Sequence, residues 1–396
     1  MRKITEKQRI RDILRTISFR NRPKKIKKIL KKNSFTCWED VNAWVENEKN
    51  LGLNAYEYKI RNKSKKGVIV IKLPKEMDFS TNFKSTAQTL TAIRKLTDIL
   101  DKAKRQRARL PSRAYKLGSV NFDSLEKIST SAALVLTSEI SKWNTLSGEK
   151  IRPQVDSWSE SIYLQFEQLG FFDLFKIKPG KDNVKSSPVK DLNFVKYIKG
   201  CCGDSEDAKS KKKQLKKEII DIVGNTVPKW TILHSGLTEA VTNVIHHAYP
   251  VNEEYTDKSW YLTGSFNRNS KEMKIAFFDQ GIGIPNSLPA SSLWENIVSY
   301  FSKLKIDIAE QKRDEVLLKA AVSIDRTSTN KNDRGKGLQD LIEFIRVFGS
   351  GYISILSYSG LYKLEIKNGL EKIKTEGLER PIYGTLIVWS VVLNGD

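Results

Sequence analysis

Long apolar runs and cysteine are what this sequence most clearly lacks. No apolar stretch approaches the roughly 20 residues that span a bilayer, and the N-terminus is charged from Arg2 onward. We therefore expect no membrane association and no signal peptide. The three cysteines are Cys37 and the adjacent pair Cys201 and Cys202, a spacing that fits neither a zinc site nor a disulfide framework. These absences predict a cytoplasmic protein.

Acidic residues are fewer than basic residues, and the excess of basic residues is uneven along the chain. The net charge is +23, and residues 1–66 hold 20 Lys/Arg against 7 Asp/Glu, a local excess of +13. Short helices are expected at 4–19 and 24–32, so we predict a basic, mainly helical N-terminal region at 1–66. Such an excess favours nucleic acid as a partner, or an acidic protein. A solvated Lys-rich surface explains the same charge.

Alternating strand and helix patterns follow from residue 67 onward. Strands are expected at 68–74, 115–122 and 150–155, and helices at 82–103, 124–143 and 158–175. This order predicts a small α/β domain at 67–180. The Gly-, Ser- and Lys-rich residues 181–212 are predicted to be a linker, and 213–396 a further domain that also mixes helices and strands. The whole chain is thus predicted to be of the α/β (α+β) class.

A polar row stands out in the predicted helix at 231–248. Glu239, Asn243 and His247 recur every four residues and so share one helix face. An acid, an amide and an imidazole in one row can hold a metal and activate water. The same row also fits an ordinary solvated helix face.

Two glycine-rich loops and a Gly-Thr strand follow. In Asp279-Gln280-Gly281-Ile282-Gly283, after a predicted strand, the carboxylate can accept a hydrogen bond from an exocyclic amine such as adenine N6. The glycines allow close backbone approach to a ligand. Gly335-Lys336-Gly337 opens a predicted helix, whose free N–H groups suit phosphate, and Lys336 adds a positive charge. Gly384-Thr385 enters the last strand. No P-loop is present, so a Walker-type NTPase is excluded.

In this order and spacing, the motifs resemble the GHKL superfamily of ATPases (gyrase, Hsp90, histidine kinase and MutL types) over about residues 215–396. The pair His247-Ala248 makes the segment most similar to anti-sigma-factor-like ATP-binding domains. The resemblance implies a C-terminal two-layer α/β sandwich at 213–396 that binds ATP and Mg²⁺. The stretch 132–140 and Gly170-Phe171-Phe172 loosely resemble STAS-like domains, which often accompany such ATPases.

The GHKL resemblance also implies roles for individual residues. Asn243 would bind Mg²⁺, Asp279 would bind adenine N6, and Thr385 would support the adenine. Residues 286–334 would form a long lid over ATP, with a helix at 307–321. The other expected contacts are His247 near the phosphates or in a structural role, Gly281 and Gly283 close to the nucleotide, Ser328 and Thr329 at polar lid positions, and Gly335, Lys336 and Gly337 along the phosphates.

Three activities are compatible with such a site. Glu239 would act as general base in a slow ATPase that switches a partner interaction. The same acid could activate a hydroxyl in a serine/threonine kinase of the anti-sigma type. The third is a nucleic-acid-binding or defence-type adaptor holding ATP as a structural ligand. Only His234, His246 and His247 are present, so no upstream phosphoacceptor histidine exists. Expected partners are ATP, a protein partner or a second copy, and nucleic acid at the basic N-terminal region.

Overall fold

The elements follow the alternation of apolar and polar residues along most of the chain. A computed structural model describes residues 38–60, 63–105, 114–148, 153–177, 191–202, 205–224, 227–250, 255, 257–291, 293–327 and 337–393. These residues form a mixed α/β protein, which confirms the predicted class. The predicted helices at 4–19 and 24–32 lie outside the described residues.

Helices and strands alternate in the first half of the chain and cluster in the second. The helices are α1 (Trp38–Asn50), α2 (Phe83–Arg105), α3 (Thr130–Ser147), α4 (Glu160–Gln168), α5 (Phe171–Phe175), α6 (Ser205–Val223), α7 (Trp230–Asn243), α8 (Ile284–Ser287), α9 (Trp294–Leu304), α10 (Asp314–Thr327) and α11 (Gly337–Phe348). The strands are β1 (Ala55–Ile60), β2 (Lys63–Lys72), β3 (Glu76–Met77), β4 (Lys116–Asn121), β5 (Lys127–Ile128), β6 (Leu192–Cys201), β7 (Ser259–Asn267), β8 (Glu272–Asp279), β9 (Gly351–Lys367) and β10 (Leu370–Val392).

The largest sheet has five strands in the order β6-β7-β8-β10-β9, with antiparallel neighbours throughout. Successive side chains of a strand point to opposite faces. One face carries Trp260, Ile275, Phe277 and Trp389, which share a buried core with α6, α7 and α11. This face corresponds to the helix layer of the predicted C-terminal sandwich.

The opposite face of the same sheet is also apolar, and a second layer of helices covers it. Tyr261, Ala276, Phe278, Leu386 and Val388 are buried in one cluster with residues of α2 and α3. The sheet therefore lies between two helix layers, where a two-layer sandwich was predicted. Strands that are apolar on both faces need cover on both faces, and the segment predicted as a separate middle domain supplies the second cover.

The boundary predicted between residues 66 and 67 is wrong, because it falls inside a strand. β2 begins at Lys63 and pairs antiparallel with β1, from Ala55↔Ile71 to Ile60↔Lys63. β2 also pairs in parallel with β4, which gives the three-stranded order β1-β2-β4. Helix α1 buries Val41 and Val45 in the same core. The described residues from 38 onward thus belong with the segment that follows.

The linker predicted at 181–212 contains an edge strand and the start of a helix. β6 pairs with β7 from Leu192↔Asn267 to Cys201↔Ser259, and α6 begins at Ser205. Gly200, which suggested a loop, is required by packing. A Cβ at this position would lie 2.1 Å from Cζ2 of the Trp260 indole. The linker prediction is therefore wrong for residues 192–201.

Three smaller predictions also differ from the structure. The helix predicted at 158–175 divides into α4 and α5, because Gly170 takes a left-handed φ of +73°. The strand predicted at 150–155 is replaced, within the described residues, by a 3₁₀ turn at Val155–Ser157. The helix predicted at 124–143 starts at Thr130, after the N-cap Ser129. Among the residues that the structure describes, no helix is both long and apolar enough to cross a membrane.

Candidate functional site

The candidate site begins at the C-terminal end of α7. Glu239 and Asn243 lie one turn apart, and Asn243 is the last residue of the α-helix. The chain then widens into a π-helical turn at Val244–Ala248, where hydrogen bonds span five residues and not four. The predicted three-residue row is thus divided between the α-helix, which carries Glu239 and Asn243, and the π-helical turn, which carries His247.

The first glycine loop rests directly on this helix end. The Ile282 N–H donates to the Ala248 carbonyl oxygen at 2.8 Å. A Cβ on Gly281 would lie 2.4 Å from that same oxygen, so only glycine allows this contact. A glycine was expected here to admit a nucleotide. In the structure, Ala248 occupies the space toward which a Cβ on Gly281 would point. This close contact joins the loop to the turn at the end of α7.

Gly283 has a similar reason to be glycine. Its φ is +77°, and a Cβ would lie 2.8 Å from Ser357 Oγ on β9. Ser357 is fully buried and was not predicted from the sequence. Its Oγ accepts the Ile284 N–H at 2.9 Å, donates to the Gly384 carbonyl oxygen at 3.1 Å and lies 3.1 Å from Thr385 Oγ1. Ser357 thus connects the loop after β8 with the Gly-Thr segment, and no local sequence signal marks it.

Asp279 is the buried polar centre of the site. Only 3% of the residue is exposed, and its Oδ1 accepts the Gly281 N–H at 2.8 Å. Thr385 stands directly opposite in the β8–β10 pairing, and its hydroxyl acts to lower the pKa of the carboxyl group. Burial raises the pKa of Asp279 to about 6, although the Gly281 N–H, Thr385 and the positive charge of Arg94 oppose the rise. This carboxylate is held at a fixed position in a desolvated environment.

Glu239 is half-buried on α7, beside the first turn of α11. Burial raises the pKa of Glu239, the nearby Asp340 carboxylate raises it further, and His246 opposes the rise. Asp340 also accepts a hydrogen bond from the Ser235 hydroxyl, which ties α11 to α7. A carboxylate with a raised pKa is a stronger base, so Glu239 fits the general-base role expected of it.

The two adjacent histidines lie on the π-helical turn. His246 and His247 are exposed, and their ring centroids are 6.1 Å apart. Partial burial lowers the pKa of His247, and the neighbouring His246 lowers it further. His247 is therefore mainly neutral at pH 7, when its ring can both donate and accept a hydrogen bond.

The second glycine loop is described only from its last residue. Gly337 starts α11, as the sequence predicts, and Ser328, Thr329, Gly335 and Lys336 lie outside the described residues. The region predicted as a lid contains α9 and α10, and its predicted helix at 307–321 begins later, at residue 314. The Asp314 carboxylate accepts the Ser359 N–H at 3.1 Å, which ties the start of α10 to β9.

The residues that the structure brings together are compatible with ATP and Mg²⁺. An ionised carboxylate offers about four acceptor positions, and the hydrogen bond that Asp279 accepts from the Gly281 N–H leaves capacity for an adenine amine. Mg²⁺ in phosphate sites commonly takes one or two protein oxygens besides phosphate and water, a role that Asn243 can fill. Among the described residues, no group of three or more His, Cys, Asp or Glu side chains forms a metal site of its own.

The sequence matches no family model and resembles no curated protein at a significant level. The functional argument therefore depends on the motifs and on the geometry of this site.

Proposed function

We propose that the protein binds ATP with Mg²⁺ at this site, in the manner of GHKL ATPases, and slowly hydrolyses ATP to switch a partner interaction. One observation carries the proposal. The buried Asp279 carboxylate faces Thr385 across two strands, and its loop is hydrogen-bonded to the end of the helix that carries Asn243. A desolvated carboxylate held by fixed donors is an effective acceptor for an adenine amine, because water does not compete for it.

Each side chain has a defined task in this proposal. Asp279 would accept a hydrogen bond from adenine N6, Thr385 orients that carboxylate, and Asn243 would hold the metal. Mg²⁺ bound there would neutralise charge on the phosphates. Glu239 accepts a proton from the attacking water as the water oxygen bonds to the terminal phosphorus and the bond to the bridging oxygen breaks. The products are ADP and inorganic phosphate.

Nucleotide binding is tested by replacing Asp279. Loss of a hydrogen bond to a charged group costs about 1.5–3 kcal/mol, so Asp279→Ala should weaken ATP binding by about 10- to 100-fold, measured by calorimetry with Mg²⁺. Glu272→Ala, at the far end of the same strand, is the matched control and should leave affinity unchanged. Equal ATP affinity in the wild type and Asp279→Ala would refute the proposal.

Hydrolysis is separated from the alternatives by following the terminal phosphate. With γ-labelled ATP and Mg²⁺, free phosphate that disappears in Glu239→Gln supports the ATPase. Label retained on this chain, or on an added protein, supports the serine/threonine kinase alternative. ATP binding without either product supports a structural ligand.

A second candidate function is polyanion binding, and helix α6 favours it. Its lysines are clustered in one short segment. Lys216 Nζ lies 5.8 Å from the centroid of the Trp230 ring. Partial burial lowers the pKa of Lys212, and the positive charge of Lys209 lowers it further. The lysines of this segment are Lys209, Lys211, Lys212, Lys213, Lys216 and Lys217. Residues 1–37 of the basic region predicted at 1–66 lie outside the described part.

Nucleic-acid retention and its salt dependence test this candidate. Phosphate contacts make binding fall steeply with salt, and each lost contact lowers the slope of log K against log salt by about 1. Lys213→Gln with Lys217→Gln should therefore lower the slope by about 2. Lys363→Gln with Lys372→Gln, on the β9–β10 hairpin, controls for net charge. Equal slopes in both variants would exclude α6 as the binding surface.

A further inference from the structure

A buried ion pair joins the two helices that cover the second face of the sheet. Arg94 on α2 meets Glu139 on α3 through two hydrogen bonds, Nε to Oε2 at 2.7 Å and Nη2 to Oε1 at 2.6 Å. The two side chains are only 4% and 3% exposed. Burial alone would lower the pKa of Arg94, but the Glu139 carboxylate outweighs this effect and raises it, so Arg94 is charged.

Arg94 uses a further donor on the candidate site. Its Nη1 donates to the Gln280 carbonyl oxygen at 3.3 Å. Gln280 lies between Asp279 and Gly281, and the Asp279 carboxylate accepts the Gly281 N–H. The Gln280 carbonyl and the Gly281 N–H belong to the same peptide group, so the guanidinium fixes the group that donates to the Asp279 carboxylate, which we expect to bind adenine.

The same helix also touches the other half of the site. Thr91, three residues before Arg94, donates from Oγ1 to the Pro381 carbonyl oxygen at 3.0 Å. A cavity of about 10 Å³ lies beside the ion pair and is lined by Arg94, Glu139 and residues 381–383. This segment leads directly into Gly384-Thr385. Helix α2 therefore contacts the chain just after Asp279 and just before Thr385, which face each other in the sheet.

Stability alone does not explain the pair. Removing two charges from water has a large cost, and buried ion pairs are often replaced by apolar residues without loss of stability. A guanidinium that is oriented by one carboxylate and donates to a backbone carbonyl does what an apolar side chain cannot do. It holds a loop at a defined position.

We propose that Arg94, oriented by Glu139, is a positioning residue of the nucleotide site, through which helices α2 and α3 set its affinity for ATP. This inference rests on the proposed function for its ligand. It gives the segment at 67–180, which contains α2 and α3, a structural role in the nucleotide site. Because binding linkage is reciprocal, ATP should in turn stabilise the docking of α2 and α3 on the sheet.

The test replaces the whole pair, so that no unpaired charge remains buried. Arg94→Met with Glu139→Leu is compared with Lys142→Met and Asp98→Leu, a second ion pair between the same helices with an N–O distance of 2.6 Å and greater exposure. The first double variant should lose about tenfold in ATP affinity, as expected for one hydrogen bond from a charged group. The amides of Gly281 and Ile282 should also exchange faster without nucleotide. The control pair should change neither quantity.

Unchanged affinity and unchanged exchange in a folded Arg94→Met/Glu139→Leu variant would overturn the inference. If that variant does not fold, Arg94→Lys keeps a cation beside Glu139 and should still show the faster exchange. If the wild type does not bind ATP, the proposed function fails. The exchange measurement contains no nucleotide, so it still decides whether Arg94 positions the loop.

Discussion

At the scale of single residues, the ionised Asp279 carboxylate lowers the stability of the folded protein, and folding alone does not require a carboxylate at this position. Its carboxylate is buried among apolar strands, and burial raises its pKa from 3.8 to about 6. Ionising such a group in the folded protein is less favourable than ionising it in the unfolded chain. A cost of this kind is typical of a residue kept for binding, because an uncharged side chain would fit the same place more stably.

Replacing Asp279 by asparagine should therefore raise stability at neutral pH. Wild-type Asp279 holds its proton more tightly when folded, so its contribution to stability is present below about pH 4 and is lost as pH rises through about 6. A rise in pKa from 3.8 to about 6 corresponds to at most about 3 kcal/mol of unfolding free energy. We expect Asp279→Asn to unfold at higher denaturant concentration than wild type at pH 7.5, with ATP affinity reduced.

The pH series supplies the control for this prediction. The difference between Asp279→Asn and wild type should shrink as pH falls and vanish below about pH 4, because both side chains are then neutral. A difference that is equal at about pH 7.5 and pH 4 would show that the asparagine acts through packing and not through charge.

At the scale of elements, strand β6 and its glycine are the clearest case for an experiment. Gly200 lies under the Trp260 indole, so Gly200→Ala must displace the ring or the strand. Overpacking of this kind costs about 1–3 kcal/mol, measurable by chemical unfolding. Lys196→Ala, exposed on the same strand, should cost less. If Gly200→Ala had no effect on stability, residues 192–201 would behave as the linker that their composition suggests.

The elements also show what the sequence could and could not predict. Helices α2, α3 and α7 follow an apolar period of 3.6, and Asp279 and Thr385 follow from local motifs, so their presence in one site could be anticipated. β6 could not, because Lys196, Lys199 and Gly200 resemble a loop until Trp260 is placed over the glycine. Ser357 was missed for the same reason, since its partners Ile284 and Gly384 are distant in the chain.

At the scale of the whole molecule, the described residues share cores across the boundaries that the sequence suggested. The face with Tyr261, Phe278 and Leu386 is buried by α2 and α3, and Arg380 pairs with Glu48 of α1 at 2.7 Å. A C-terminal unit that begins at residue 191 would expose this face to water. Burial on both sides makes the sheet and its two helix layers one unit of stability.

We therefore expect a chain of residues 191–396 to be unstable by itself. It should bind a hydrophobic dye and lack a cooperative unfolding transition, because large exposed apolar patches are unfavourable. Residues 38–396, with the same C-terminus, should unfold in one transition. Cooperative unfolding of 191–396 without dye binding would show that the second helix layer is dispensable.

The position of β10 has a further consequence for synthesis of the protein. This strand is the last one described, yet it lies between β8 and β9, and its Leu386 and Trp389 belong to the cores on opposite faces. Until residues 382–392 leave the ribosome, β8 is paired only with β7, and both helix layers lack part of the sheet on which they pack. Translation proceeds at about 5–20 residues per second, so Tyr261 and Phe278 remain exposed to water in the nascent chain for several seconds. Chaperone demand should therefore be greatest just before the last strand emerges.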